Sequence, residues 1–346
     1  MDHQTRVPAI TPRGSLSERL LDAVTGDRRT TGLAGNLPPL GSTAPGAVFE
    51  DDDLQLSLFL LYALSYGSLG PAGDALEWDP ELLRLRGELE RRHESALHRL
   101  VGPLPEPSPT VRDVGSALFA LTSADDGPSL STHAARHATA AQLREVLVLR
   151  ALYTLREADP HSWALPRLVG RPKAALVEVQ TDEYGNGRLD AMHASLYADA
   201  MRGAGLATDQ LAYIDLVPAV TLAAHNTMSL FGLHRRLLGA IVGHLAAFEM
   251  TSSIPNRRYR DGFRRVGFGP EVTTYFAVHV QADAVHEQVA AYDLAGALAE
   301  QEPDRVPDIM FGAASCLAMD ALVARHVIGA WEAGRSALRA PVGVAA

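Results

Sequence analysis

The chain has 346 residues, 47% of them apolar and 21% charged, enough to bury one large core or two smaller ones. Its net charge of −10 argues against a general binder of nucleic acid or anionic membrane, because both require a basic face to meet phosphate. A single cysteine, Cys316, excludes an intramolecular disulfide and any zinc or iron–sulfur cage built on several cysteines.

Residues 1–50 are rich in Pro, Gly, Thr and Ser (VPAITPRG, TTGLAGNLPPLGSTAPGAV) and predict an arm with one short helix near SERLLDAV. The opening MDHQTRVPAITPRGSLSERL lacks the apolar stretch of a secretory signal. LLGAIVGHLAAF, taken as the longest strongly apolar run, is too short to span a bilayer. The expectation is a cytoplasmic protein with no membrane or nucleic-acid partner. From EDDDLQLSLFLLYALSYGSL onward the period is helical, and Asp51, Asp52 and Asp53 suit a helix N-terminus. DPELLRLRGELERRHESALHRL predicts a charged helix, followed by a break in the loop GPLPEPSP. LSTHAARHATAAQLREVLVLRALYTLREADP predicts one long helix stopped by Pro160. Further helices are expected over 172–183, 188–204, 217–250, 271–298 and 303–325, with a last one near 326–338. No run alternates with period two beside a turn dipeptide, so the class is all-α: a bundle whose central helices are apolar nearly all round.

The segment FAVHVQADAVHEQVA, 276–290, places His279, Asp283 and His286 at i, i+4 and i+7, within an arc of roughly 60° on one helix face. Phe276, Ala282 and Ala290 share that face, so it is not a solvated one. An aspartate buried between two imidazoles is costly unless something neutralises it. A bound cation does so, and imidazole with carboxylate is a ligand set for iron, zinc or manganese. A hydrogen-bonded His–Asp pair in a core explains the spacing equally well.

A metal needs ligands from other helices. VEVQTDEYGNGRLDAMHASLY carries Glu183 and His193, which would lie about 15 Å apart on an unbroken helix. The glycines in Gly185-Asn186-Gly187 permit a bend that shortens the gap. Glu249 ends an apolar run, LLGAIVGHLAAFEMTSSIP, where a buried carboxylate without a partner would be rare. Glu157, in YTLREADPH, sits near a helix C-terminus, whose dipole disfavours an anion. Surface exposure accounts for Glu157 as simply. Glu157, Glu183, Glu249 and Asp283 together carry the charge that two divalent ions would balance.

Other clusters read as bland. Glu90 and His93 form half of a ferritin-like pair, but no second pair exists and five arginines between Arg84 and Arg99 suggest a solvated face. HEQVA lacks the second His of a zinc protease, His133 and His137 have no nearby carboxylate, and Cys316 lies among small apolar residues as core. Arg257, Arg258, Arg260, Arg264 and Arg265 read mostly as a basic loop, with a carboxylate-holding role as the sharper alternative. Tyr184 and Met192 lie beside candidate ligands and either line a pocket or pack.

Together these residues resemble the haem-oxygenase-like diiron oxidases and oxygenases, the bacterial iron-containing redox enzyme group. The resemblance rests on E-Y-G-x-G-x5-H from Glu183 to His193, on GHLAAFEMTSSIPNRR around Glu249, and on HVQADAVHE. LREADPH and FGLHRRLLGAIVGH also look like this group, and the likeness runs from DDDLQL to the C-terminus. It implies a helical bundle of about seven core helices holding two irons without haem. Its implied ligands are Glu183, His193, Glu249, His279, Asp283 and His286, with Glu157 as an additional one. The organisation expected is an arm over 1–50, N-terminal helices packed on the core over 51–130, and the metal-binding bundle over 131–346. The implied function is an O2-dependent oxidase or oxygenase acting through two Fe on a small organic substrate, amino-acid-like or carboxylate-bearing, in specialised metabolism. A homodimer and an external electron donor are the further partners expected. Two other readings stay open: an iron-binding or regulatory bundle without turnover, and a cofactor-free or haem-binding relative on the same scaffold.

Overall fold

The structure, a computed structural model, describes residues 9–26, 30–33 and 45–342, without the side chains of Pro45 and of 281–285. The described residues are 74% helical and contain no strand, as the all-α expectation required. The longer α-helices run in chain order as α1 (Ser15–Val24), α2 (Asp52–Ser65), α3 (Pro80–Val101), α4 (Val111–Ser123), α5 (Leu130–Arg136), α6 (Ala140–Thr154) and α7 (Gly170–Glu183). They continue as α8 (His193–Gly203), α9 (Ala219–Leu233), α10 (Leu238–Met250), α11 (Ser253–Arg265), α12 (Pro270–Gln288) and α13 (Val306–Glu332). A π-helical segment, Val289–Gly296, follows α12.

Local chemistry sets most of the boundaries. Asp51 caps α2 by accepting the Leu54 N–H at 2.9 Å, with Asp52 and Asp53 in the first turn, as the sequence suggested. Asp79 caps α3 ahead of Pro80, whose missing N–H costs nothing at a first position. The long helix expected up to Pro160 divides in two, because Thr139 and Gln142 form a capping box that starts α6 afresh. That helix then ends at Thr154, before Pro160 is reached. The helix expected over 217–250 also divides, at a 3-10 turn over Arg235–Leu237. At the C-terminus the two expected segments merge into α13. The arginine-rich loop is in fact α11: Arg265 donates to the carbonyls of Ala134, Ala135 and Ala138 at the end of α5, and Arg260 pairs with Asp261.

α9 and α10 are buried over nearly their whole circumference and form the centre of the larger apolar cluster. The residues of α10 touch α13 through glycine. A Cβ on Gly243 would lie 1.9 Å from the Ile309 carbonyl oxygen, and one on Gly312 would lie 1.9 Å from that of Ala240. The two backbones are therefore in direct contact, and α10, which carries Glu249, is held at a defined height against α13.

With its leading 3-10 turn, α13 is long and apolar enough to cross a membrane by length and composition. The sequence reading placed its longest apolar run elsewhere. Here 61% of the most apolar window of α13 is buried inside the fold, where the helix serves as core. Cys316 is buried on it, as expected.

The exposed face expected for α3 is only half right. Arg84 and Arg91 are solvated, but Glu90 and His93 are 3% and 0% exposed on the opposite face. His93 is taken by Gln55 at 3.2 Å and Thr227 at 2.8 Å, and Glu90 lies 2.9 Å from His234. The His93 contacts satisfy that buried ring between α2, α3 and α9.

Candidate metal centre

Four helix ends and one helix face supply the candidate ligands. Glu157 follows the end of α6. Ala158 beside it is held in the left-handed region at φ 77, a strained setting for a residue with a Cβ, and the chain turns there. Gln180 of α7 braces the turn by donating from Nε2 to the Ala158 carbonyl at 3.3 Å. Glu183 is the last residue of α7 and Glu249 the penultimate residue of α10. All three carboxylates thus sit at or just beyond helix C-termini, where the carbonyl ends disfavour anions and favour cations.

His193 opens α8. Gly185, Asn186 and Gly187 between it and Glu183 all have positive φ, at 64, 55 and 77. At Gly185 a Cβ would lie 2.4 Å from the Met192 nitrogen, so only glycine lets the loop close this tightly. The closed loop brings His193 Nδ1 to 2.9 Å from Glu183 Oε2, replacing the separation an unbroken helix would impose.

His279 and His286 lie on α12, 4% and 2% exposed, on the inward face. Asp283 belongs to the same helix, but its side chain falls outside the described residues. Glu157, Glu183, His193 and His279 each offer one ligand atom within 4.8 Å of the others. Glu183, Glu249 and His286 form a second such group, and all six residues are buried. Glu183 is common to both.

The surroundings orient these atoms. The Tyr275 hydroxyl donates to Glu157 Oε1 at 2.8 Å, leaving Glu157 Oε2 buried without a hydrogen-bond partner. His279 Nδ1 lies 2.9 Å from the Tyr275 carbonyl. A carbonyl only accepts, so the proton is on Nδ1 and the Nε2 lone pair is free, 3.8 Å from Glu157 Oε1. His286 Nε2 is 3.0 Å from Asp182 Oδ2, leaving Nδ1 3.4 Å from Glu249 Oε2 without hydrogen-bond alignment.

Without a cation the charges are managed by protons. Burial, and then the Glu183 carboxylate, push the Glu157 carboxyl up to about 8. At His286 burial acts to lower the value, but Glu249 and then Asp182 outweigh it and raise it to about 9. Burial, and next the His193 ring, hold His279 well below its ordinary value. Buried oxygen and nitrogen donors, two of them orphaned, suit a borderline divalent cation such as iron, manganese or zinc.

Two spaces adjoin the donors. An enclosed one, with room for about one water-sized molecule, is bounded by Glu157, Glu183, Glu249 and His279 together with Tyr153, His161, Gln180 and Phe248. An open cleft of about 430 Å³ lies on the other side of His193, lined by Asp182, Asn186, Arg188 and Asp190. Neither Tyr184 nor Met192 lines either space; the Tyr184 hydroxyl donates to Asp159 at 2.8 Å. None of the α11 arginines lines them either. Sequence reasoning missed Tyr275, Asp182, His161 and Gln180. Tyr275 was within reach, since it stands four residues before His279 on the same helix face. The others are brought in by turns and by neighbouring helices, and carried no periodic signal.

A family model described as an iron-containing redox enzyme matches residues 144–321, just over half of the chain and a span that includes every candidate ligand. A nitrosourea synthase from Streptomyces achromogenes subsp. streptozoticus is 29% identical over 160 residues, 46% of this chain and 34% of that protein. The chain therefore matches only about a third of the length of this relative.

Proposed function

The chain belongs to the family of iron-containing redox enzymes, and on that premise we propose that it is a non-haem diiron, O2-dependent oxidase or oxygenase of a small organic molecule. The observation carrying this reading is that the two groups of ligand atoms share Glu183. One ion would be held by Glu157, Glu183, His193 and His279, and the other by Glu183, Glu249 and His286. Asp283 is the further ligand expected from the sequence. Four carboxylates then balance two divalent charges, whereas a single ion would leave two negative charges in a buried space.

Two ferrous ions held there would supply the electrons for reducing dioxygen and oxidising the substrate. The protein's own part is orientation and exclusion. Tyr275 holds Glu157 with one hydroxyl bond and His279 with its carbonyl, so both ligands face inward before any ion arrives. Asp182 holds the outer nitrogen of His286. Phe248 and Leu245 keep bulk water from the enclosed space.

For the substrate, the cleft beside His193 has the volume of a small-molecule site. Arg188 in it makes no side-chain hydrogen bond or ion pair among the described residues, and a guanidinium suits a carboxylate. That assigns to Arg188 the role the sequence reading had weighed for the α11 arginines, and supports an amino-acid-like or other carboxylate-bearing substrate. The partial match to a nitrosourea synthase supports a nitrogen-bearing molecule in specialised metabolism. The same reading includes a cytoplasmic location, a homodimer and an external electron donor.

The test is anaerobic reconstitution with ferrous iron, followed by metal analysis and rapid mixing with O2. The wild type should hold two equivalents and consume O2 faster with substrate present. Glu183→Ala should lose both equivalents, and His286→Ala about one. Two equivalents without any reaction with O2 would leave an iron-binding bundle that does not turn over; well under one equivalent would remove the metal reading.

A further inference from the structure

The enclosed space beside the candidate ligands has a second wall. Its residues are His161, Gln180 and Tyr153, and they share the space with Glu157, Glu183 and Glu249. His161 is 1% exposed and Gln180 4%. The Nε2 of His161 lies 3.2 Å from His244 Nδ1, and its Nδ1 is buried with no partner among the described residues. Gln180 donates its Nε2 to the Ala158 carbonyl, which leaves Oε1 buried with no partner among the described residues. Glu157 Oε2, on a residue lining the same space, is left to the metal. Unpaired buried polar atoms are rare because each costs about 1–3 kcal/mol. Two from two residues lining one small space point to a ligand that pairs with them.

The local backbone is shaped to make this wall. The left-handed Ala158 reverses the chain between Glu157 and His161, so that both residues line the same space. The Gln180 bond to Ala158 fixes that reversal. Strain held next to a polar cavity is a pattern of functional sites.

Resting on the metal reading above, we propose that His161 is the hydrogen-bonding contact for a ligand of one or two heavy atoms held between this wall and the candidate metal ligands. Gln180 offers an acceptor for the protonated end of the same ligand. The chemistry of the His161–His244 pair suits this. One proton lies between His161 Nε2 and His244 Nδ1, and either ring can own it. If His161 owns it, Nδ1 accepts; if His244 owns it, His161 carries its own proton on Nδ1 and donates. The pair can therefore meet a ligand that accepts and one that donates without either ring gaining charge. Burial, and then the neighbouring His244, keep His161 neutral far below its ordinary value, consistent with a ring that works by tautomer.

The experiment uses nitric oxide, a two-atom acceptor, on the ferrous-loaded protein, reading its affinity and its N–O stretching frequency. His161→Leu should keep the wild-type iron content, bind nitric oxide roughly three- to tenfold more weakly, and raise the N–O stretch as the hydrogen bond is lost. His161→Asn, which keeps a donor, should recover part of the shift. His93→Gln, a change at a buried histidine outside this space, should leave both readings as in the wild type. Iron-loaded His161→Leu with the wild-type stretch and affinity overturns the contact and leaves the metal reading standing. A wild-type protein that takes up no iron overturns both.

Discussion

Glu183 and His93 show how differently a buried polar side chain can be settled. Glu183 meets one candidate ligand directly, His193 at 2.9 Å, and belongs to both groups of ligand atoms. His93 has both ring nitrogens within hydrogen-bond distance of neutral partners, Gln55 and Thr227. Burial pushes His93 down to about 3, against 6.5 for the unfolded chain. The sign follows from that order. Stability from the neutral ring is complete above about 6.5 and is lost as pH falls from there towards 3, because the unfolded chain takes up the proton first. Relative to His93→Gln, the wild type should lose about 1.4 kcal/mol per pH unit below 6. Urea unfolding at pH 7, 6 and 5 measures it, and a difference that stays constant across those values contradicts the assignment. The sequence showed Glu90 and His93 at the same spacing as a metal half-site. It could not show that Gln55 and Thr227, from other helices, would take the ring.

At the scale of elements, the position of Glu249 depends on how closely α10 approaches α13. Gly243 and Gly312 remove the side chains that would hold the helices apart, and the atoms they meet are backbone oxygens, which cannot rotate away. Gly243→Ala should therefore destabilise the fold by roughly 1–3 kcal/mol or more. It should also move Glu249 and lower iron content, an outcome that plain destabilisation at a remote glycine would not give. Thermal unfolding with metal analysis of the folded fraction reads both, and a variant with wild-type values in each would show that the contact is slack. Gly243 was visible as a letter in LLGAIVGHLAAF and Gly312 in GAASC, but the two lie about seventy residues apart in the chain. The reverse holds for the bend between Glu183 and His193. Its glycines are local, so the sequence alone placed the break, and the structure supplied only how far the ends close.

At the scale of the molecule, the candidate centre sits where helix C-termini and the inward face of α12 meet in the core. Mutual repulsion among its carboxylates opposes folding, and a bound cation relieves it. Ferrous or manganous ion at saturation should raise the melting temperature by several degrees, and a chelator should reverse the gain. A melting temperature indifferent to metal would mean that the charges are already settled by protons on Glu157 and His286. What the sequence determined alone had local causes: the all-α class, the helix start at Asp51, the glycine break, and the helical spacing of His279, Asp283 and His286. These follow from backbone preference and the 3.6-residue period, which act over a few residues. Only the tertiary structure decided which carboxylate is shared, that Tyr275 serves two candidate ligands at once, that α13 is core, and that the arginines of α11 brace α5. Each of those depends on distances between segments remote in the chain, and only packing sets them.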